Sequence, residues 1–350
     1  MSRISPTEHA TTRPPAPADH DARVDTDAHV DTDAHVDPEA RVHTARGDDR
    51  RIEATGAVAP RRRRSDVQAG TLVLIGGACD PHGAAFDAFL TASGAREGEK
   101  IVGFTTASSD PVGSAVAWKN AFASAGARNV EFPIVDRRER AQDERIAQMV
   151  LEAKGIFLGG GDQVALVATL SGSRVGRAIR SAYAGGAVVG GTSAGAAAMS
   201  ETILAGGEVT MHGDVIERHL GPGLGLLGFS SVIDTHFSKR GRLQRLFRRV
   251  AENPELLGLG IDEDTALIVR GHLAEVAGAG AVTYVDGRAV RFDNADDVLM
   301  HGASLTLSHL RVGLIGAPYI FNLRDRELEA LVQSEREGEE TPSVRGDEVS

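Results

Sequence analysis

From residue 71 onward, short continuous apolar runs alternate with segments in which apolar residues recur at helical spacing. A continuous apolar run is typical of a strand covered on both faces, whereas a period near 3.6 is typical of an amphipathic helix. Strands that alternate with helices predict an α/β fold, with a mostly parallel sheet and helices on both faces. The strands predicted in this part of the chain are 71–75, 100–104, 129–134, 155–158 and 187–189.

The second half of the chain has a weaker pattern. Short apolar runs predict strands at 232–234, 259–261 and 265–269, and a basic helical segment covers 239–250. The segments at 275–276 and 282–285 have strand character and flank a glycine-rich turn at 278–280, which predicts a β-hairpin. An acidic stretch from about residue 335 is expected to be frayed.

Residues 1–66 differ from the rest because they contain almost no large apolar side chains. The hexapeptide Asp-Thr-Asp-Ala-His-Val occurs at 25–30 and again at 31–36, with imperfect copies on either side. Such a segment buries too little apolar surface to offset chain entropy, so we expect a disordered tail; weak metal binding by its Asp and His residues is the alternative. The predicted organisation is therefore a tail (1–66), an α/β domain (67–334) and an acidic C-terminal tail (335–350).

Composition argues against several classes of function and location. The formal net charge of −11 argues against general nucleic-acid binding. Cys79 is the only cysteine, so no internal disulfide forms, and we interpret it as a small buried residue. No apolar run approaches the roughly 20 residues that span a bilayer, and no secretory signal is recognisable, so a cytoplasmic location without membrane contact is expected.

The strand at 187–189 runs into Gly191-Thr192-Ser193-Ala194-Gly195, which matches the Gly-x-Ser-x-Gly nucleophile elbow. In an elbow a tight turn from strand to helix presents one serine above the sheet, and glycines allow the close packing. Amides at the start of the following helix, beginning with Ala194, are then available to an oxyanion. The alternative is a glycine-rich turn with an incidental serine.

Ligand-binding groups of a parallel sheet gather at the carboxyl ends of its strands. The strand at 155–158 ends in Gly159-Gly160-Gly161-Asp162-Gln163, where glycines allow the backbone to approach a ligand closely. Gln163 is expected to point into the same cleft. Alternatively it is only the first residue of a helix capped by Asp162.

A serine nucleophile needs a general base, and a histidine at the end of one strand is expected to reach a serine at the end of a neighbouring strand. His236 follows the strand at 232–234, whereas His212 and His219 lie in polar or glycine-rich surroundings typical of surface loops. Arg240, Arg242 and Arg245, with Lys239, follow His236; they form either an anion-binding group or a solvated helix face. Asp262, Glu263 and Asp264 end the next strand, and one of these acids is expected to orient the histidine. Strand alternation would place Asp262 and Asp264 on one side and Glu263 on the other.

Four motifs together resemble the cyanophycinases, serine peptidases related to aspartyl dipeptidase E, over roughly residues 70–330. Their order and spacing are similar to those of that family. The motifs are Gly-Gly-Asp-Gln at 160–163, Gly-Thr-Ser-Ala-Gly at 191–195, Asp-Thr-His-Phe-Ser-Lys-Arg-Gly-Arg at 234–242 and Gly-Ile-Asp-Glu-Asp-Thr-Ala at 260–266.

The resemblance implies a sheet like that of class I glutamine amidotransferases, a flavodoxin-like arrangement, and a triad of Ser193, His236 and Glu263. It also implies a homodimer, no cofactor or metal, and cyanophycin as substrate. Thr235 stands where many members have Gln, and Gln244 where Gly is common, so short α-aspartyl or isoaspartyl peptides remain an alternative substrate, and a silent binding homologue an alternative role. The remaining implied site residues are Gly160, Gly161 and Ala194 at the oxyanion and Gln163, Asp234, Thr235, Arg240, Arg242 and Arg245 at the substrate.

Overall fold

The computed structural model describes residues 69–204, 208–209, 215–216, 220–295 and 304–331. The predicted N-terminal tail, His212, His219 and the acidic C-terminal tail lie outside these ranges. The first described residue is Ala69, two residues before the first strand.

The described elements alternate between strands and helices up to residue 204 and are mostly strands thereafter. The strands are β1 (Thr71–Ile75), β2 (Ile101–Phe104), β3 (Val130–Glu131), β4 (Gly155–Leu158), β5 (Val188–Thr192), β6 (Thr202–Leu204), β7 (Glu208–Val209), β8 (Val215–Ile216), β9 (Leu220–Pro222), β10 (Ser231–Thr235), β11 (Leu257–Ile261), β12 (Thr265–Arg270), β13 (Leu273–Gly278), β14 (Ala281–Asp286), β15 (Phe292–Asp293), β16 (Leu307–Ser308), β17 (Arg311–Gly316), β18 (Tyr319–Asn322) and β19 (Glu327–Leu331). The helices are α1 (Ala84–Ser93), α2 (Pro111–Ser124), α3 (Glu144–Leu151), α4 (Gln163–Leu170), α5 (Arg174–Ala184), α6 (Ala194–Ala197) and α7 (Leu243–Glu252).

Two large sheets organise the described residues. The larger has nine strands in the order β19-β18-β13-β12-β1-β5-β4-β2-β3. Its half from β1 to β3 is parallel, and its half from β12 to β19 is antiparallel. The smaller has six strands in the order β17-β14-β11-β10-β6-β9, with β10 parallel to both β6 and β11. The predicted α/β class is confirmed, and the antiparallel extension adds to it.

Helices α2, α3, α4 and α5 each begin directly after a residue whose side chain caps the helix. Asp110 accepts a hydrogen bond from the Gly113 amide at 2.9 Å, and Pro111 occupies the first helical position of α2. Asp162 likewise caps α4 by accepting from the Val164 amide at 2.7 Å. These side chains satisfy amides that lack an intrahelical partner, which fixes where each helix begins.

The two faces of the larger sheet are covered by different cores. On the face covered by α1 and α2, Phe86, Phe89, Phe122, Phe157 and Trp118 pack ring against ring. Full burial of one such side chain stabilises the fold by about 1.5–3 kcal/mol. On the other face, apolar residues of α4 and α5 form one continuous cluster that also includes residues of β10 and β11. The second sheet therefore packs into the same core as the first.

Two local predictions are wrong. The segments at 275–276 and 282–285 do not pair with each other, because β13 joins the larger sheet and β14 the smaller. The glycine-rich turn between them carries the chain from one sheet to the other. The basic helix starts at Leu243 rather than Lys239, because Gly241 has a φ of +60° and ends a preceding turn. Among the described helices, none has the length and apolar character needed to cross a membrane.

Candidate active site

Ser193 occupies a sharp turn between β5 and α6. Its backbone has φ 52° and ψ −115°, a conformation that L-residues rarely adopt and that is typical of a nucleophile elbow. A Cβ at Gly195 would lie 2.1 Å from the Leu158 carbonyl oxygen, and one at Gly191 would lie 2.7 Å from atoms of Gly195 and Met199. Glycine at both positions is therefore a steric requirement of the turn.

His236 and Glu263 complete a chain of side chains that starts at Ser193. The Nε2 atom of His236 lies 2.9 Å from the Ser193 Oγ, and its Nδ1 lies 2.7 Å from the Glu263 Oε1. His236 follows β10 and Glu263 follows β11, so both come from the smaller sheet. The sequence suggested that the histidine strand neighbours the serine strand within one sheet; instead the two sheets meet at the site.

The carboxylate fixes the protonation pattern of the ring. Because Glu263 faces Nδ1, that nitrogen carries the proton and donates a hydrogen bond to the carboxylate, which leaves Nε2 as an acceptor for the Ser193 hydroxyl. The His236 side chain is 12% exposed, so the ring is largely shielded from water. The arrangement has the geometry of a nucleophile, a general base and an orienting acid.

The two neighbouring acids have other partners. Asp262 accepts from the Ser238 amide at 3.0 Å and from the Ala281 amide at 3.2 Å. The Asp264 carboxylate accepts from the Asp80 amide. Residues 262–264 form a turn between β11 and β12, so the expected alternation along a strand does not apply. The turn nevertheless separates Glu263 from both aspartates.

Three backbone amides beside the serine donate to no described residue: those of Gly160, Gly161 and Ala194. A Cβ at Gly160 would lie 3.3 Å from the Ser193 Cβ and 3.9 Å from its Oγ, so this loop passes directly beside the hydroxyl. Helix α6 is a single turn of four residues. Any oxyanion stabilisation at this point therefore depends on individual amides rather than on a long helix.

A pocket of about 180 Å³ opens next to Ser193. Its wall contains the predicted substrate residues together with apolar side chains. The lining residues are Gly161, Gln163, Ser193, Ala197, Leu204, Ile233, Asp234, Thr235, Arg240, Arg242 and Arg245.

Asp234 holds two of the three arginines. Its carboxylate is 1% exposed and accepts from Arg245 Nε at 2.9 Å and Arg242 Nη1 at 3.0 Å, with a second contact from Arg245 Nη2. Arg242 also donates to the carbonyl oxygen of buried Thr235. Asp234 therefore lies in the pocket wall, but its oxygens are already engaged by protein groups.

The pocket is positively charged. One carboxylate faces two guanidinium groups, and the guanidinium of the exposed Arg240 has no hydrogen-bond partner among the described residues. Burial lowers the pKa of Arg242, and the charges of Arg245 and Arg240 lower it further, although Asp234 opposes them. A ligand carboxylate relieves this repulsion, so the pocket is suited to an anion. Gln163 also lines it, with its amide donating to the Leu204 carbonyl oxygen.

Cys79 does not compete as a nucleophile. Burial raises the pKa of its thiol to about 12, and the charges of Asp264 and Asp80 act in the same direction. A thiol with so high a pKa stays protonated near neutral pH, and the thiolate is the reactive form. The structure shows Cys79 partly buried, in agreement with the interpretation from sequence.

The model of peptidase family S51 matches residues 72–277, more than half of the chain. The chain belongs to peptidase family S51. The match covers the serine, the histidine, the glutamate and the arginines of the pocket. Members of this family are peptidases, so the protein is a hydrolase.

Individual relatives agree with the family assignment. The chain is 33% identical over 226 residues to the cyanophycinase of Synechococcus elongatus, covering 64% of this chain and 70% of that protein. It is 37% identical over 212 residues to the cyanophycinase of Trichormus variabilis, covering 59% and 69%. A crystal structure of a peptidase from an acI-B1 Actinobacterium matches 63% of this chain and 92% of that one, with a TM-score of 0.51 and 22% identity, which supports the fold.

Proposed function

We propose that this S51 peptidase is a cyanophycinase that uses Ser193, His236 and Glu263 as its catalytic residues. Cyanophycin has a polyaspartate backbone in which each β-carboxyl carries an arginine. The observation that carries the proposal is the hydrogen-bonded chain from Ser193 Oγ through His236 to Glu263, placed at the mouth of an arginine-lined pocket. The similarity to cyanophycinases of 33–37% identity supports the substrate.

In the first half of the reaction, the Ser193 Oγ attacks the backbone carbonyl carbon of an aspartyl residue. His236 Nε2 accepts the hydroxyl proton and then delivers it to the leaving amine, so the peptide bond breaks and an ester to the serine forms. Glu263 stabilises the imidazolium and holds the ring in the tautomer that leaves Nε2 free.

In the second half, a water molecule attacks the ester. His236 takes one proton from the water and returns it to the Ser193 Oγ, and the released product is β-aspartyl-arginine. We assign the stabilisation of the oxyanion in both halves to the amides of Gly160, Gly161 and Ala194, which lie beside Ser193 and have no acceptor among the described residues. In a comparable protease, one such donor contributes roughly 2.7–4 kcal/mol to the transition state.

The arginine-lined pocket is assigned to a free carboxylate of the substrate. In cyanophycin this is the α-carboxylate of the arginine attached at the scissile bond, because both carboxyl groups of the aspartyl residue itself are used in amide bonds. Arg240 has a free guanidinium, and Arg242 and Arg245 face the pocket while being held by Asp234. Asp234 has no free capacity for a further cation, so the arginine side chain of the substrate lies outside this pocket. A volume of about 180 Å³ is too small for a longer segment of polymer.

The experiment is an incubation of the protein with purified cyanophycin, followed by mass spectrometry of the soluble products. We expect β-aspartyl-arginine from the parent and none from Ser193→Ala with an unchanged melting temperature. A Ser193→Ala variant that retains the parental rate would overturn the serine mechanism.

An aspartyl dipeptidase is the second candidate, because the aspartyl side chain of a short α-aspartyl peptide also offers a free carboxylate to the arginine-lined pocket. Comparing kcat/KM for cyanophycin with that for a simple α-aspartyl dipeptide separates the two. Faster turnover of the dipeptide would assign the protein to the dipeptidases. Failure to process either substrate would favour a silent homologue.

Two further proposals follow from the family resemblance alone. We propose a homodimer, which light scattering after gel filtration checks directly. We also propose that the protein acts in the cytoplasm, where stored polymer is degraded; fractionation of the source cells with detection by antibody tests this.

A further inference from the structure

Three consecutive carbonyl groups at the end of β1 hold the three turns that carry the proposed catalytic residues. The carbonyl oxygen of Ile75 accepts from the Ser193 amide at 2.9 Å, and that of Gly76 accepts from the His236 amide at 2.7 Å. The carbonyl oxygen of Gly77 accepts from the Asp264 amide, directly after Glu263, at 2.9 Å. A run of three residues therefore joins parts of the chain that are up to 71 residues apart in sequence and belong to two different sheets.

The three donors share an unusual backbone. Ser193 and His236 both have φ of 52°, and Asp264 has φ of 46°. A non-glycine residue in this region costs roughly 1–3 kcal/mol and persists only when its surroundings over-determine it. Each of the three strained residues is anchored by one carbonyl of the same short segment, which supplies that restraint.

Both glycines of the segment are required by close contacts. A Cβ at Gly76 would lie 1.9 Å from the Asp262 carbonyl oxygen. A Cβ at Gly77 would lie 2.2 Å from Cε1 and 2.4 Å from Nε2 of the His236 ring, and the φ of Gly77 is +103°. The Nε2 atom of His236, which accepts the serine proton, thus occupies the space that a side chain at position 77 would need.

We propose that Ile75–Gly77 is the segment that positions the catalytic residues of the active site. Within it, Gly77 sets the distance between the His236 ring and Ser193. The proposal rests on the proposed function of the triad. A side chain at position 77 pushes Nε2 away from Oγ, while the arginine-lined pocket, which does not include Gly77, stays intact. A misplacement of about 1 Å in reacting groups is enough to reduce a rate roughly 100-fold.

The test variant is Gly77→Ala, and Gly186→Ala is the matched control. Gly186 has φ of +99°, nearly that of Gly77, but a Cβ there meets nothing within 4 Å. The control therefore carries the backbone strain without the contact to the ring. For Gly77→Ala we expect kcat on cyanophycin to fall about 100-fold with little change in KM, and Gly186→Ala to match the parent.

Labelling of Ser193 by a serine-directed sulfonyl fluoride separates positioning from simple loss of structure. A positioning role lowers the rate constant of labelling and shifts the pH midpoint of that rate, but leaves the final labelled fraction near one. A purely structural role lowers the labelled fraction and leaves the rate constant of the folded molecules unchanged. A folded Gly77→Ala protein with parental labelling rate and kcat overturns the proposal.

A stability comparison tests the contact without any assay of activity. We expect the melting temperature of Gly77→Ala to fall further than that of Gly186→Ala. This additional loss of melting temperature should vanish when His236→Ala is combined with Gly77→Ala, because the ring is then absent. If Gly77→Ala alone does not fold, recovery of folding in the double variant supports the ring contact, and failure of the double variant overturns it. If the parent neither cleaves cyanophycin nor reacts with the reagent, the proposed function fails, whereas this comparison still decides the role of Gly77.

Discussion

Glu263 lies against the ring nitrogen of His236 that faces away from the serine, with 2.7 Å between Oε1 and Nδ1. Its neighbours Asp262 and Asp264 have their carboxylates on backbone amides instead. One acid of the three therefore acts on the imidazole, and the other two hold the surrounding loops.

We predict that Glu263→Gln lowers kcat by about three to four orders of magnitude, because the amide presents a donor to Nδ1 and favours the wrong tautomer. Asp262→Asn and Asp264→Asn are the matched controls, since the amide oxygen of Asn can still accept from the same backbone N–H groups. We expect both to stay within about tenfold of the parent. Steady-state kinetics on cyanophycin measures the three variants. If Asp262→Asn lost its activity while Glu263→Gln kept it, Asp262 would replace Glu263 in the triad.

The arginines of the pocket supply the second prediction. Arg240→Lys, Arg242→Lys and Arg245→Lys keep the charge but lose the planar fork that grips a carboxylate with two hydrogen bonds. A charged hydrogen bond contributes about 1.5–3 kcal/mol, so kcat/KM should fall roughly 10- to 100-fold for each arginine that contacts the substrate. We expect the largest loss at Arg240, whose guanidinium has no partner among the described residues. Near-parental values for all three on cyanophycin would remove the recognition role.

Asp234 gives a prediction about positioning. It is buried and holds Arg242 and Arg245 without free oxygens for a ligand. Asp234→Asn keeps the shape but weakens both ion pairs, so the two guanidinium groups lose their fixed orientation. We expect KM to rise about tenfold or more with a smaller change in kcat, since loss of one such charged bond is worth about 1.5–3 kcal/mol. If Asp234 acted through its charge alone, Asp234→Asn would make the pocket more positive and lower KM for an anionic substrate. A lower KM would therefore contradict the positioning role.

Much of the larger sheet could be predicted because its signals are local. Apolar runs located β1, β2, β4 and β5, and the glycines around Ser193 predicted the sharp strand-to-helix turn that the structure shows. Sequence order also placed His236 and Glu263 as candidates, since each follows a strand.

Which sheet each strand joins could not be predicted, because this is decided by contacts between distant segments. His236 and Glu263 were therefore expected beside Ser193 within one sheet, whereas they reach it from a second sheet. The predicted hairpin at 275–285 is wrong for the same reason, since the turn at Gly278 links two sheets. The role of Gly76 and Gly77 was missed, although two glycines after a strand were a visible signal of close backbone approach.

The N-terminal tail gives a prediction about chain boundaries. Residues 1–66 contain almost no large apolar side chains, and every proposed catalytic or substrate residue lies after residue 159. We expect a chain that starts at Ser65 to keep the parental kcat/KM and melting temperature. Loss of folding in that truncated chain would contradict the predicted start of the α/β domain at residue 67.

The final prediction concerns a buried ion pair remote from the serine. Asp286, 3% exposed, accepts from Arg288 and from Arg326, which is 7% exposed and also donates to the Glu255 carbonyl oxygen. Burial alone would raise the pKa of Asp286, but the hydrogen bonds from Arg288 and Arg326 outweigh it, so the pKa lies below its usual value. Replacing Asp286 leaves the buried Arg326 guanidinium without its counter-charge, which typically costs about 3–5 kcal/mol.

We therefore expect Asp286→Asn to lower the free energy of unfolding at pH 7 by about 3 kcal/mol, with kcat of the folded protein unchanged. A carboxylate with a lowered native pKa stabilises the fold above its unfolded pKa, near 3.9, and this contribution disappears as the pH falls through the lower native value. The stability difference between parent and variant should thus be constant above about pH 5 and shrink below about pH 4. Urea unfolding at several pH values measures it. A difference that grows on acidification would show that the pKa of Asp286 is raised in the native state, contrary to the ion pair described.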